Sequence, residues 1–349
     1  MLRYSIAVAL CGSLLAAALA AEKPSAPLPL DLAATIPLPD ISGRIDHMAA
    51  DVKGQRLFVV SLGKGSVEVV DLASAKVVDR ITGLKDPHDI LFTADLNLLA
   101  VSCGKDGTVR LYDGTTLKPA RTVDFKSNAD TLRYDPAAKR LYVGYGDGGI
   151  GIIDPVKGEK VGVIPLKGHP ESFQLERLGH RIFVNVPTAR HIAVIDRQAE
   201  KVTATWPVAG ATDSFAMALD EANRRLMSVA RHPAETIVYD TDTGKPTARF
   251  ACVGDCDDIF YDPPTRSLYL SGGEGYADVF RQDDPDHYRL VARIATAKLA
   301  RTSLLVPELG SYYVAEPHFV PWLTGKSKVR VYKVQTLTAA AAPLLEPRA

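Results

Sequence analysis

Ionisable residues recur along this chain at a spacing of roughly forty residues, and together they could form one polar site. Carboxylate, imidazole and guanidinium groups in a concave site can bind a charged small molecule or a divalent metal ion. The residues at this spacing are Asp46, His88, Asp130, Glu171, Asp257 and Arg301. One repeat has Phe215 instead, with Asp213 two places earlier, and some repeats add a second polar residue, such as His47 or Asp89.

A competing explanation is structural, in which these residues only begin strands. Aspartate is frequent at strand starts because its carboxylate accepts hydrogen bonds from nearby backbone N–H groups. This accounts for Asp130 and Asp257, but His88, Glu171 and Arg301 are not turn formers. We therefore interpret the set as a ligand or ion site. Loops that open on the same predicted face add His232 and His318.

The elements that position these residues are clearest in residues 129–166. This segment has four short runs that are rich in β-branched or aromatic residues, separated by turn formers. The runs are Thr131–Tyr134, Arg140–Tyr145, Ile150–Ile153 and Lys160–Pro165. Four strands joined by short turns form one antiparallel sheet with two apolar faces, and such a sheet needs neighbours to bury both of them.

The same pattern repeats through the chain. Its second strand recurs with an apolar residue at one register, at Leu57, Leu99, Leu141, Ile182, Leu226, Leu268 and Tyr312. A period near forty with four strands per repeat is typical of a β-propeller blade. Seven copies predict an all-β, seven-bladed propeller of four-stranded antiparallel blades. Because inner strands surround the central channel of this fold, the ionisable residues should form a ring at one mouth.

The two ends of the chain are predicted to close the ring together. The seventh repeat has no fourth strand, whereas Thr35-Ile36-Pro37-Leu38 resembles the outer strand of other blades. Proline suits an outermost strand, where its missing N–H faces no partner. We therefore expect a signal peptide at 1–20, a linker at 21–29, a propeller at 30–335 and a C-terminal tail at 336–349.

Composition and the N-terminus predict where the protein works. Lys and Arg balance Asp and Glu at 41 each, so charge gives no indication of nucleic-acid binding. Arg3 followed by the apolar run Ile6–Ala20 is typical of a secretory signal peptide cleaved before Ala21. We expect a monomer in the periplasm or secreted, with no transmembrane segment. In that compartment, Cys252 and Cys256 are predicted to form a small-loop disulfide.

The repeats resemble the YVTN-type β-propeller repeats of exported bacterial proteins. The resemblance rests on strands such as Arg140-Leu141-Tyr142-Val143, followed by a Gly turn, Ile152-Ile153-Asp154 and Gly158-Glu159-Lys160. It implies a binding or scaffold propeller that recognises a small molecule or a protein partner, and it assigns no catalytic residue.

A weaker architectural similarity to lactonase-type and streptogramin-lyase propellers implies an alternative, a metal-dependent hydrolase or lyase. Asp46, His88, Asp130, Glu171 and Asp257 would then hold a divalent metal ion. The ring is short of Asn, however, and Arg301 would repel a cation while it could anchor a carboxylate or phosphate. Binding is therefore the favoured function.

Overall fold

A computed structural model describes residues 29–319 and 326–335 of the 349. In these residues, 28 strands form seven antiparallel four-stranded sheets, and every sheet is built from strands in consecutive order except the one that joins the chain ends. The predicted all-β, seven-bladed propeller is confirmed. The predicted signal peptide, the linker apart from Pro29, and the C-terminal tail lie outside the described residues.

The strands are numbered in chain order. The first blade contains β2 (Met48–Asp51), β3 (Arg56–Ser61), β4 (Ser66–Asp71) and β5 (Lys76–Thr82), and the second β6 (Pro87–Thr93), β7 (Leu98–Cys103), β8 (Thr108–Asp113) and β9 (Pro119–Asp124). The third contains β10 (Ala129–Asp135), β11 (Arg140–Tyr145), β12 (Gly149–Asp154) and β13 (Glu159–Pro165), and the fourth β14 (Phe173–Leu175), β15 (Arg181–Val186), β16 (His191–Asp196) and β17 (Lys201–Pro207).

The fifth blade contains β18 (Thr212–Asp220), β19 (Arg225–His232), β20 (Ala234–Asp240) and β21 (Pro246–Ala251), and the sixth β22 (Cys256–Asp262), β23 (Ser267–Gly272), β24 (Tyr276–Asp284) and β25 (His287–Ala295). The seventh contains β26 (Ser303–Val306), β27 (Ser311–Glu316), β28 (Lys328–Val334) and β1 (Leu30–Pro37). Short 3-10 helices span Leu62–Lys64, Pro187–Ala189 and Pro307–Leu309.

The repeated apolar residue of each second strand is buried, as the sequence predicts. All seven residues at that register, from Leu57 to Tyr312, are almost completely inaccessible to solvent. The core consists of clusters between neighbouring sheets; Leu111 of the second blade, for example, packs with Leu132 and Leu141 of the third. Burial between blades rather than within one blade explains why a single repeat could not fold alone.

The aspartate that ends five of the third strands is a turn residue. Asp113 accepts hydrogen bonds from the backbone N–H groups of Thr115 and Thr116, and Asp154 does the same for Val156 and Lys157. This local hydrogen bonding favours the turn that leads into the outer strand. These aspartates therefore have a structural role and do not contribute to a site.

The N-terminal strand completes the seventh blade. β1 pairs antiparallel with β28, from Leu30 opposite Val334 to Pro37 opposite Lys328. The Leu38 N–H then donates to the carbonyl of Ser327 at 2.9 Å. The ring is closed by the two ends of the chain, as predicted.

The predicted disulfide is not formed in this structure. Cys252 and Cys256 are both free, buried thiols in the core between the fifth and sixth blades. The Cys256 thiol instead lies 3.2 Å from the carbonyl oxygen of Asp258. Burial raises the pKa of the Cys252 thiol to about 12, so these residues act as small apolar side chains.

Among the described residues, no helix is long and apolar enough to span a membrane.

Candidate functional site

A cavity of about 180 Å³ lies where the inner strands begin, and we call it the mouth cavity. Ionisable residues form nearly all of its wall. It is lined by Arg44, Asp46, His47, His88, Asp89, Asp130, Thr131, Arg133, Glu171, Ser172, Phe215, Arg231, Asp257, Asp258 and Arg301. Eight of the eleven residues predicted from the sequence as ligand-binding line this cavity. The repeat therefore brings residues far apart in the chain into one concavity.

Backbone irregularities at the start of several inner strands help to aim these side chains. The pairing register shifts between Pro87 and Ile90, between Ala129 and Leu132, and between Cys256 and Asp258. Such β-bulges turn two successive side chains away from strict alternation. This explains why adjacent residues, such as His88 and Asp89, both reach the cavity.

The fifth blade contributes differently from the others. Phe215 occupies the position at which the other blades have an ionisable residue, and the guanidinium carbon of Arg231 lies 4.1 Å from the centre of its ring. Arg231 comes from the second strand, β19. In this blade the charge therefore comes from Arg231 on β19, whose guanidinium group makes a cation–π contact with Phe215 on the inner strand β18.

Three arginines and two aspartates form an ion-pair network along one side of the cavity. Arg231 contacts Asp257 and lies 3.4 Å from Asp255, and Arg301 lies 3.0 Å from Asp255. Arg44 reaches the same network, with 3.9 Å between its Nη2 and Asp257 Oδ2. Several fixed guanidinium groups next to carboxylates can recognise an acidic group and a basic group of one ligand together.

Asp257 is the most constrained acid of the network. Its side chain is only 10% exposed, and its Oδ2 makes no hydrogen bond, lying 3.8 Å from Arg301 Nε. Burial raises the pKa of Asp257 to about 6, although Arg231 acts in the opposite direction. An ionised carboxylate oxygen that is buried without a hydrogen bond is costly, so a ligand donor placed there would be stabilising.

Two histidines that line the cavity are held between carboxylates. His47 Nδ1 lies 3.3 Å from Asp258, and His88 Nδ1 lies 3.2 Å from Asp46. Burial disfavours the charged imidazole of His47, but the charge and hydrogen bond of Asp258 outweigh it and raise the pKa well above its usual value. The pKa of His88 is raised for the same reason, with Asp46 as the main partner. In both histidines the neighbouring carboxylates therefore favour the charged imidazole.

A third group lies at the third and fourth blades, where acidic residues outnumber bases. Asp130, His169 and Glu171 each offer a ligand atom, and these atoms all lie within 4.8 Å of one another. Burial raises the pKa of Glu171 to about 7, with further help from the charge of Asp130. The Asp130 carboxylate, 3.6 Å from His169 Nε2, raises the pKa of that imidazole to about 9.

Four charged residues in or next to the cavity were missed by the sequence reasoning, namely Arg44, Arg133, His169 and Arg231. Arg44 and His169 lie two places before the ring position of their blades, on the same side of an extended chain. Asp86, Asp213 and Asp255 share that position and have positive φ angles. Aspartate tolerates this conformation, so backbone geometry alone accounts for an aspartate there, whatever ion pairs it also forms. Arg44 and His169 have no positive φ angle, so backbone geometry does not explain a charged residue at their positions. Their unexplained charge could have identified them as site residues.

Arg231 could also have been recognised from the repeat. It lies five residues after the buried residue of the second strand, where the second, third and sixth blades have Gly104, Gly146 and Gly273. The first, fourth and seventh blades have Leu62, Pro187 and Pro317 there, so Arg231 is the one charged residue at this position. Such a departure from the pattern is not required for folding.

Three predicted site residues are not part of the mouth cavity. His232 Nδ1 contacts Asp213 at 2.8 Å, and both side chains are exposed. The His318 backbone accepts a hydrogen bond from the Gly43 N–H and donates one to the Ser327 side chain. These residues therefore form contacts outside the cavity wall.

The channel continues from the mouth cavity into a larger, more apolar chamber of about 370 Å³. Met48, Leu91, Phe260 and Leu304 contribute to its wall, and His47, Asp89 and Asp257 border both spaces. A ligand held at the mouth cavity would therefore have charged groups on one side and apolar side chains on the other.

Comparison with known proteins supports the fold. A chain of the Kuenenia stuttgartiensis hydrazine synthase superposes with a TM-score of 0.70 at 18% identity, over 79% of this chain and 93% of that one. A chain in the crystal structure of the mitotic checkpoint complex gives a TM-score of 0.75 at 13% identity, over 94% of this chain and 99% of that one. At such identities the likeness shows the propeller fold alone. No curated protein sequence matches the chain significantly.

The sequence profile of one family matches residues 31–224, which is more than half of the chain and includes the first four blades with the N-terminal strand. Within this match lie the ring residues from Asp46 to Glu171. The chain belongs to the YNCE-like beta-propeller family.

Proposed function

We propose that this protein binds a small ionised molecule in the mouth cavity. The observation that carries the proposal is that Asp257, which lines the cavity, is nine-tenths buried and has one carboxylate oxygen without a hydrogen bond. Most buried polar atoms have partners. A ligand that donates to this oxygen would supply the missing one.

The chemistry of the wall indicates the kind of ligand. Six carboxylates, four guanidinium groups and two imidazoles line the cavity, so neither a purely cationic nor a purely anionic molecule matches the whole surface. A molecule with an amino group for Asp257 and an acidic group for Arg301 matches both. The volume corresponds to roughly six water molecules, which suits a molecule of amino-acid size and excludes a folded partner from the cavity itself.

The alternative of a metal-dependent hydrolase or lyase receives less support. Such an enzyme would need a metal ion and a group that moves a proton next to a bound substrate. The similar structures give no evidence for this chemistry, because at their sequence identities they support the fold alone. The arginine network next to Asp257 is suited to hold a charged ligand in place. We therefore favour binding over catalysis.

The binding proposal is tested with a thermal-shift panel of amino acids, small carboxylates and phosphate esters, with EDTA present so that no metal ion contributes. At least one zwitterionic compound should raise the melting temperature of the wild-type protein. Its affinity should fall at least tenfold in Asp257→Asn and in Arg301→Met, because each removes one of the two charged contacts.

The matched control is Asp283→Asn, which removes an exposed carboxylate paired with Arg289 on the outside of the sixth blade. This variant should bind like the wild type. A panel without any hit, or a hit that binds equally well to all four proteins, would contradict the proposal.

We also propose that the protein is exported, supported by Arg3 and the apolar run Ile6–Ala20. In a bacterial host the mature protein should be found in the periplasm or medium, with Ala21 as its N-terminal residue. Leu15→Arg should block export because it interrupts the apolar run, whereas Leu178→Arg, at an exposed position of the propeller, should not. Cell fractionation with N-terminal sequencing decides this, and a wild-type protein that keeps Met1 in the cytoplasm would refute export.

A further inference from the structure

We propose that Asp130, His169 and Glu171 bind a divalent transition-metal ion at the edge of the mouth cavity. The proposal concerns metal binding itself. It does not depend on the small-molecule ligand, whose contacts lie on the side of Asp257 and Arg301.

The spacing of the three side chains fits a metal site. Their ligand atoms lie within 4.8 Å of one another, and His169 Nε2 is 3.6 Å from Asp130 Oδ2. Ligand atoms at about 2.1 Å from one ion are roughly 3.0 to 3.4 Å apart. Small side-chain rotations would therefore bring all three onto a single ion without moving the strands.

His169 is oriented from outside the group. Its Nδ1 lies 2.5 Å from the carbonyl oxygen of Gly146, a partner that can only accept a hydrogen bond. Nδ1 must therefore carry the proton, and Nε2 faces the carboxylates. Metal-binding histidines are held in the same manner, with the distant nitrogen donating to a carbonyl or carboxylate.

In the part of the chain that the structure describes, no arginine forms an ion pair with the group, although the charges of Arg231 and Arg44 act on Glu171 and Asp130 from a distance. Among the described residues, the Glu171 carboxylate makes no ion pair or hydrogen bond, and Asp130 contacts only His169. Arg231 is engaged with Asp255 and Asp257. An ion can bind only when both carboxylates are ionised and Nε2 of His169 has lost its proton. In that state the group carries a double negative charge, which a divalent cation would neutralise.

A second observation is a buried carboxylate oxygen in the same cavity that has no hydrogen-bond partner. Asp257 lines the same cavity with an oxygen that has no hydrogen bond, although its side chain is nine-tenths buried. Its charge also acts on Glu171. A cation or a metal-bound water next to Glu171 would lower the repulsion between these acids.

The ligand set indicates which ions to expect. One imidazole nitrogen and two carboxylate oxygens suit Zn²⁺ or another first-row divalent ion, whereas Ca²⁺ and Mg²⁺ prefer oxygen ligands alone. Three protein ligands leave further coordination positions for water. Those positions would face the mouth cavity.

The experiment is a calorimetric titration of the EDTA-treated and desalted protein with Zn²⁺, and with Ca²⁺ for comparison. The wild type should bind one equivalent of Zn²⁺ and Ca²⁺ at least tenfold more weakly. His169→Ala and Glu171→Gln should each weaken Zn²⁺ binding at least tenfold. The control is His287→Ala, an exposed histidine next to Asp284, which should bind Zn²⁺ like the wild type.

A second measurement needs no variant. Anomalous diffraction from wild-type crystals soaked in Zn²⁺ should show a peak between Asp130, His169 and Glu171. The proposal is overturned if the wild type binds no Zn²⁺, if the two site variants bind it like the wild type, or if the anomalous peak lies elsewhere. Because no small-molecule ligand is added, any of these outcomes leaves the binding proposal at Asp257 and Arg301 standing.

Discussion

Deletion of residues 31–39 is expected to lower the free energy of unfolding by several kcal/mol. The deleted segment includes most of β1, which pairs with β28 and closes the ring. Ile36 is only 1% exposed and packs between the seventh and first blades. Its loss exposes the edge of β28 and the apolar surface that Ile36 and Leu38 cover.

Point variants separate this effect from truncation as such. Ile36→Ala should cost about 2–5 kcal/mol, as is usual for a large side chain removed from a core. Leu32→Ala is the control on the same strand, because Leu32 is 54% exposed, and it should change stability by about 0.5 kcal/mol or less. Denaturant unfolding measures all three. If the deletion and Ile36→Ala unfold at the same denaturant concentration as Leu32→Ala, β1 does not hold the ring closed.

Asp257→Asn is expected to alter how stability depends on pH. The folded-state pKa of Asp257 is raised from 3.8 to about 6 by burial. A raised pKa means that the stability due to the bound proton is fully present below pH 3.8 and is lost as the pH rises through 6. A difference of this size corresponds to about 3 kcal/mol.

The wild type should therefore lose about 2–3 kcal/mol relative to Asp257→Asn between pH 4 and pH 7.5. Denaturant unfolding at several pH values measures this difference, and comparison of two proteins cancels the contributions of other groups. Asp283→Asn, at an exposed acid, should show a constant difference from the wild type. If the difference in unfolding free energy between Asp257→Asn and the wild type is also independent of pH, then burial does not raise the pKa of Asp257, and the prediction is wrong.

The repeat made the fold predictable from the sequence. Each second strand has a buried apolar residue at the same register, and each turn has its own Asp, Gly or Pro, so local and long-range signals agree. Even the pairing of β1 with β28 followed from the proline of the N-terminal strand and the missing outer strand of the seventh blade. The same register placed Asp46, Asp130 and Glu171 in one cavity.

The side chains outside that register were harder to predict. Arg231 reaches the cavity from a second strand, and His169 reaches Asp130 at the edge of the cavity from a loop. Only the folded ring shows that these segments meet the inner strands. The pairing of Cys252 with Cys256 was wrong for this structure, because spacing alone does not reveal that both thiols are buried in the core between two blades. His318 follows β27, whereas His232 is the last residue of β19 and not part of a loop. The repeat does not reveal which way either side chain points.

The central claim, that the mouth cavity binds a small ionised molecule, is tested most directly by a crystal structure. The wild-type protein would be crystallised in EDTA with the strongest compound of the thermal-shift panel. The account predicts that the compound lies in the mouth cavity, with a donor on Asp257 Oδ2 and an acidic group on Arg301. A compound bound at another surface, with only water next to Asp257, would contradict it.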